Sequence, residues 1–184
     1  MVSADKAVLR AEMRARRKAL AKSSPDAAQM VATHADALPP GDIVAVYSAM
    51  GSELDPEPLA HALIASGRQV CLPVVTERDA PMTFRTWTPG DPLEIDAAGC
   101  PAPLPLAGQA EPDLILCPLL AFDDRGGRLG QGGGYYDRTL AAMDGRAAFI
   151  GLAYARQQID RLPVEDHDER MHGVLTEVGY TAFP

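Results

Sequence analysis

At 184 residues and 19.6 kDa, with 47% hydrophobic and 23% charged residues, the chain has ordinary globular composition and enough length for a substantial core, which excludes a disordered chain. A formal charge of -8 excludes a general nucleic-acid binder, which would present the opposite sign to phosphate. Cys71, Cys100 and Cys117 lack paired or metal-knuckle spacing and fit the reduced thiols of a cytoplasmic protein, while no apolar run reaches membrane-span length and the first residues lack the apolar stretch of a secretory signal.

Residues 4–22, ADKAVLRAEMRARRKALAK, are rich in helix formers and hold no Gly or Pro, which predicts a helix. Leu9, Met13 and Leu20 form an apolar stripe on it; Lys6, Arg10, Arg14 and Arg17 form a basic one. Asp5 and Glu12 weigh against an Arg-rich transit peptide. SSPDAAQMVATHADAL predicts a second helix, with Ser24 as N-cap and Pro25 at the first helical position. DIVAVYSAM then changes period and predicts a buried strand, PEPLAHALIAS a helix closed by Gly67, and RQVCLPVV a second strand. MTFRTW alternates, as an edge strand would. Residues 88–112, rich in Pro, Gly and Ala, predict an ordered excursion over the surface and not an interdomain linker. DLILCPLLAFD is the most apolar segment. It leads into a glycine cluster, a helix at YYDRTLAAM, a strand at AAFIGLAY, and a polar loop with a last strand in LPVEDHDERMHGVLTEV.

Strands alternating with helices, and strands that are apolar almost throughout, predict one domain over residues 1–184: a layered α/β sheet with helices on both faces. Ligands of such folds sit at the carboxyl ends of the strands. The glycine cluster follows the most apolar strand and so falls at such an end.

That cluster, RLGQGGGYYDR at residues 128–138, precedes a predicted helix. Glycines there supply close backbone approach, and a helix start supplies N–H groups and a positive dipole end, a combination that favours phosphate. Tyr135 and Tyr136 stand where a Walker A loop needs Lys and Ser/Thr. If Gly130 and Gly132 open a dinucleotide fingerprint, Tyr135 stands at its third glycine. A loop built only for tight turning is the plain alternative. Arg128 before it and Asp137 after it, a cation and a possible Mg²⁺ ligand, weigh against that.

PLLAFDDRGGRLGQGGGYYDR, with LP and HD some thirty residues on and Lys-x-x-x-Arg near the start, resembles the 5-formyltetrahydrofolate cyclo-ligase family over essentially the whole chain. The resemblance implies a three-layer αβα fold around a mostly parallel sheet of about six strands. It also implies one reaction, in which ATP and 5-formyltetrahydrofolate give 5,10-methenyltetrahydrofolate, ADP and phosphate with Mg²⁺ present. It implies ATP binding by Lys6, Arg10, Arg128, Leu129, Gly130, Gln131, Gly132, Gly133, Gly134, Tyr135 and Tyr136. It implies folate binding by Ser48, Glu53, Gln131, Gly132, Gly133, Gly134 and Tyr135, and Mg²⁺ binding by Asp137 and Asp168. Relatives often carry a larger apolar residue at the position of Ser48, where serine offers less packing surface. The expected partners are these small molecules alone, with no nucleic acid or membrane, for a cytoplasmic monomer.

The reaction needs no residue as covalent nucleophile, because the folate's own N10 attacks the activated carbon; the protein must align the γ-phosphate with the formyl oxygen and offset charge. Arg14, Arg16 and Arg17 read as surface charges, His167 as an inert loop residue, and Trp87 as a core residue before a pterin-stacking one. One of Tyr135 and Tyr136 reads as core. Two other functions are weighed: a cyclo-ligase-like paralogue acting on another formylated amine, such as a thiamin-related salvage substrate, and a non-catalytic nucleotide or folate binder.

Overall fold

The computed structural model describes residues 2–163 and 169–184. Helix α1 runs Val2–Ser23 and α2 Ala27–Ala32. Strand β1 (Ile43–Ala45), α3 (Glu57–Ala65), β2 (Gln69–Val74) and β3 (Thr83–Thr86) follow. A hairpin of β4 (Leu93–Ile95) and β5 (Pro101–Pro103) precedes β6 (Leu114–Pro118). A second small hairpin, β7 (Ala121–Phe122) and β8 (Arg128–Leu129), leads to α4 (Tyr135–Met143). The chain closes with β9 (Ala148–Leu152), β10 (Gly173–Thr176) and β11 (Gly179–Ala182).

Seven strands form the main sheet in the order β11-β10-β9-β6-β1-β2-β3. The five inner strands are parallel, and β3 and β11 pair antiparallel at the two edges. The fold is thus the expected α/β class, with one strand more than the six anticipated, because the last segment folds back on itself at Gly179 to add β11. Alternation along β6 shows how both faces are covered. Leu114 and Leu116 pack with α2 and α3, through Val31, Leu59 and Leu63. Ile115 and Cys117 pack with Phe149 and, from α4, Tyr136, Leu140 and Met143. A third apolar cluster joins Met13 of α1 to Leu120, Ala121 and Leu129 beyond the end of β6, which brings α1 to the carboxyl side of the sheet.

Two local expectations change, and a third gains detail. Ser24 does not cap α2: its N–H bonds the Leu20 carbonyl at 2.9 Å and its carbonyl takes the Ala27 N–H at 3.1 Å, so it ends α1 and opens a turn. Asp26 holds the N-cap position. The strand expected over residues 42–50 pairs only through Ile43–Ala45, because Tyr47 onward turns away to form a loop. The 88–112 excursion contains the β4–β5 hairpin and is tied to the sheet by Asp96, which accepts N–H groups of Val75, Ala98 and Cys100, each at 2.9 Å. Among the described residues no helix is long and apolar enough to cross a membrane.

Candidate functional site

Strand β1 lies between β2 and β6, so the chain leaves β1 to one side and later returns on the other. In open α/β sheets such a reversal leaves a crevice beyond the carboxyl ends of the strands. Here it is a cavity of about 620 Å³, lined by Tyr47, Ser48 and Glu53 from the loop after β1, by Pro118 and Leu119 at and just beyond the end of β6, and by α1 and the glycine loop. Lys6, Arg10, Ser48, Glu53, Asp137 and all of Arg128 to Tyr136 border this one space. Asp168 and His167 lie outside the described residues.

The glycine loop is aimed by the turn before it. Asp123, only 1% exposed, accepts the N–H groups of Arg125 and Gly127 with Oδ1 and that of Leu162 with Oδ2. That fixes the β7–β8 hairpin and hence the point from which the loop departs. Gly132 then takes φ +104 and Gly134 φ +67, conformations that a side-chain-bearing residue adopts only with strain. Gly134 is the N-cap of α4, so the first-turn N–H groups of that helix, which have no helical partner, border the cavity. Arg138 braces the loop. It donates to the carbonyls of Gly133 (3.0 Å) and Arg78 (2.9 Å) and lies over the Tyr135 ring at 5.0 Å. Tyr136 stacks against Phe149 with centroids 6.1 Å apart and is the core member of the tyrosine pair, though both touch the cavity.

Helix α1 supplies the cationic wall. Lys6 is buried, and Arg10 donates from Nε to the Gly130 carbonyl at 3.1 Å, joining helix to loop. Arg14 is exposed and bonds the Gln131 side chain at 2.9 Å, and exposed Arg16 pairs with Glu12. Arg17 departs from the surface role expected of it: it is 5% exposed and points inward. Its Nε donates to Ser52 Oγ at 3.2 Å, its Nη1 donates to the Leu119 carbonyl at 3.2 Å, and Nη1 stands 3.6 Å from Glu53 Oε1. The signal for Arg17 was in the spacing. Lys6, Arg10, Met13, Arg17 and Leu20 fall on one helical face, so the basic and apolar stripes merge into one inward surface.

Beside Arg17, Glu53 Oε2 accepts the Met50 N–H at 2.9 Å. Burial raises its pKa above the ordinary carboxylate value, while the Met50 bond and Arg17 pull the other way. Tyr47, buried beside it, donates its hydroxyl to the Leu54 carbonyl, and burial, then the Glu53 charge, push its pKa well up. Trp87 packs with the core cluster that includes Val70 and does not line the cavity.

At the far end of the loop, Arg128 donates from Nη2 to Asp137 Oδ1 and from Nη1 to the Glu169 carbonyl, both at 2.6 Å, and lies 4.7 Å over the Phe149 ring. The Glu169 N–H also reaches Asp137 Oδ1, at 3.2 Å. Both donors meet the same oxygen, Oδ1, and Asp137 borders the cavity. Magnesium is usually held by one or two carboxylates together with substrate phosphates, so Asp137 beside the glycine loop fits that ion. Among the described residues no group of three or more His, Cys, Asp or Glu forms a ready-made metal cage. Burial pushes the Cys117 thiol up to about 12, so it stays neutral at pH 7.

The profile of the 5-formyltetrahydrofolate cyclo-ligase family matches residues 2–177. The 5-formyltetrahydrofolate cyclo-ligase of Escherichia coli is 34% identical over 177 residues, covering 89% of this chain and 96% of its own. That of Mycolicibacterium smegmatis is 36% identical over 143 residues, 74% of each chain. Among solved structures, 5,10-methenyltetrahydrofolate synthetase of Aquifex aeolicus superposes with a TM-score of 0.77 at 28% identity, covering 96% of this chain and 92% of that one. The corresponding synthetase of Mycoplasma pneumoniae gives 0.73 at 22% identity, covering 94% and 99%, a likeness of fold.

Proposed function

Since the chain belongs to the 5-formyltetrahydrofolate cyclo-ligase family, we propose that it closes 5-formyltetrahydrofolate to 5,10-methenyltetrahydrofolate at the expense of ATP, releasing ADP and phosphate. The supporting observation is that Lys6, Arg10, the glycine loop and Glu53 line a single cavity. Two substrates that must meet can therefore share one space. We take residues 1–184 as one cyclo-ligase domain acting as a monomer.

On the nucleotide side, Lys6, Arg10, Arg128 and the loop from Leu129 to Tyr136 hold the polyphosphate, with charge-assisted hydrogen bonds from the cations and N–H groups from the start of α4. Asp137, with Asp168, would hold Mg²⁺, which when bound neutralises charge on the transferring phosphate. On the folate side, Glu53 accepts paired N–H donors from the pterin edge, Ser48 lines the same wall, and Gln131 to Tyr135 face the reacting centre. Placing the formyl oxygen in line with the γ-phosphate lets that oxygen displace ADP. The product is an N5-iminium phosphate. N10 then attacks the same carbon, phosphate leaves with the C–O bond, and the N10 proton is lost as the methenyl bridge forms. The contribution of the protein is alignment and electrostatic stabilisation, for which fixed N–H groups and buried cations are suited.

The test is direct. Pure protein is mixed with Mg-ATP and 5-formyltetrahydrofolate while the near-ultraviolet band of the methenyl product and the release of ADP are followed together. Both should rise with the same stoichiometry. ADP release without the band would mean that the phosphoryl group passes to water or that the activated folate does not close, and the assay would then be repeated with another formylated amine. Absence of both would overturn the assignment.

A further inference from the structure

We propose that Arg17 is a positioning residue for the folate site, holding the Glu53 carboxylate in its receiving geometry and joining it to α1. The inference rests on the cyclo-ligase reading, in which Glu53 takes the pterin. The Arg17 and Glu53 side chains are 6% and 10% exposed, so their encounter is sheltered from water and from screening salt. The guanidinium is held by three elements at once: α1 carries it, Ser52 Oγ in the loop after β1 accepts its Nε, and the Leu119 carbonyl beyond β6 accepts its Nη1. Leu119 is fixed in turn by buried Gln157, which donates to its carbonyl at 2.8 Å. A fork so constrained cannot follow Glu53; Glu53 must take its place relative to the fork.

The two carboxylate oxygens are thereby addressed separately. Oε2 receives the Met50 N–H at 2.9 Å, and Oε1 lies 3.6 Å from Arg17 Nη1. Among the described residues the Glu53 charge also acts on Tyr47 after β1, Tyr136 in α4 and Cys100 before β5, and Lys6 and Arg10 of α1 line the same cavity. Burial already favours the protonated acid, and Arg17 opposes it. Without Arg17 the carboxyl would bind a proton at higher pH and lose one acceptor for the paired pterin donors.

Arg17→Gln is the decisive variant. The folate KM should rise by about tenfold near pH 7 and fall again as pH is raised and Glu53 ionises, while the ATP KM stays within about twofold. Adding Glu53→Gln to Arg17→Gln should cost no more than Glu53→Gln alone, because the two act on one contact. A second readout does not depend on turnover: the ¹³C carboxyl resonance of Glu53, assigned by its loss in Glu53→Gln, should titrate at higher pH in Arg17→Gln than in the unmodified chain. Should Arg17→Gln fail to fold, Arg17→Lys carries the test, since it keeps the charge but not the fork, and should raise the folate KM with the Glu53 titration little moved. An unshifted Glu53 resonance in Arg17→Gln, or a loss confined to the ATP KM, would overturn the proposal. Absence of methenyl product in the unmodified protein, with the resonance shifted as expected, would instead fault the functional reading and leave the Arg17–Glu53 coupling standing.

Discussion

Gly132, Gly133 and Gly145 differ in what an added methyl group would meet. At Gly133 a Cβ would stand 2.9 Å from two Tyr135 ring carbons, so the ring must swing, and Arg138 lies over that ring. At Gly132 the space is open to an ordinary contact with the Arg10 guanidinium at 3.5 Å, but φ is +104. Gly145 has φ +73 and nothing within 4 Å, and does not line the cavity. Gly132→Ala and Gly145→Ala should therefore cost similar stability, about 1 kcal/mol each from backbone strain. Only the loop changes should cut kcat/KM for ATP, by about tenfold or more, since a displacement of about 1 Å at the reacting phosphate is enough for that. Steady-state kinetics beside thermal melting of the three variants separates the effects. Gly132→Ala and Gly133→Ala proteins with unchanged ATP kinetics would make the loop a turn and nothing more.

Helix α1 is the element on which the two proposed substrate sites would depend together. Lys6 and Arg10 are four residues apart and border the cavity, so on the proposed reading one rigid helix presents both charges to the same polyphosphate. Alanine at either should weaken ATP use by roughly 1.5–3 kcal/mol in kcat/KM, the worth of a charge-assisted hydrogen bond, with the folate KM moving less. Arg10→Ala should also loosen the glycine loop, because it removes the bond to the Gly130 carbonyl. The reverse pattern, folate KM altered and ATP KM untouched, would show that the substrates are placed on the wrong walls. The helix was legible from composition, while Lys6 and Arg10, which line the cavity, were singled out by the resemblance alone. The inward side of Arg17 was open to reading from its register with Met13 and Leu20, but its partners were not, because they are remote in the chain. Ser52 lies 35 positions on and Leu119 lies 102. The same limit applies to Asp123, whose hold on the Leu162 N–H spans 39 positions. Ser24 failed as an N-cap for a local reason, since α1 runs on to claim its N–H and the Pro25–Asp26 turn comes between it and α2.

At the scale of the whole molecule, the position of the site follows from strand order, and strand order from apolar runs that only a sheet covered on both faces accommodates. The same double covering seals Cys71 and Cys117 in the core, where burial pushes each thiol from 9.0 up to about 12. In the unfolded chain these thiols ionise near 9.0, so between there and about 12 the folded protein holds protons that the unfolded one has released. Folding stability is then full below the lower value and declines as pH rises toward the upper one. Each thiol adds at most about 1.4 kcal/mol per pH unit to that decline. Tyr47, whose pKa is raised by burial in the same way, steepens it further above 10.0. Urea unfolding from pH 8 to pH 11 should accordingly show a falling midpoint. Cys71→Ala with Cys117→Ala should start lower at pH 8, since each leaves a small cavity, but lose stability less steeply with pH. Equal slopes in the two proteins would mean that the thiols reach water in the folded state, and that the sheet is covered less completely on its α4 side than the packing of Phe149, Leu140 and Met143 around Cys117 requires.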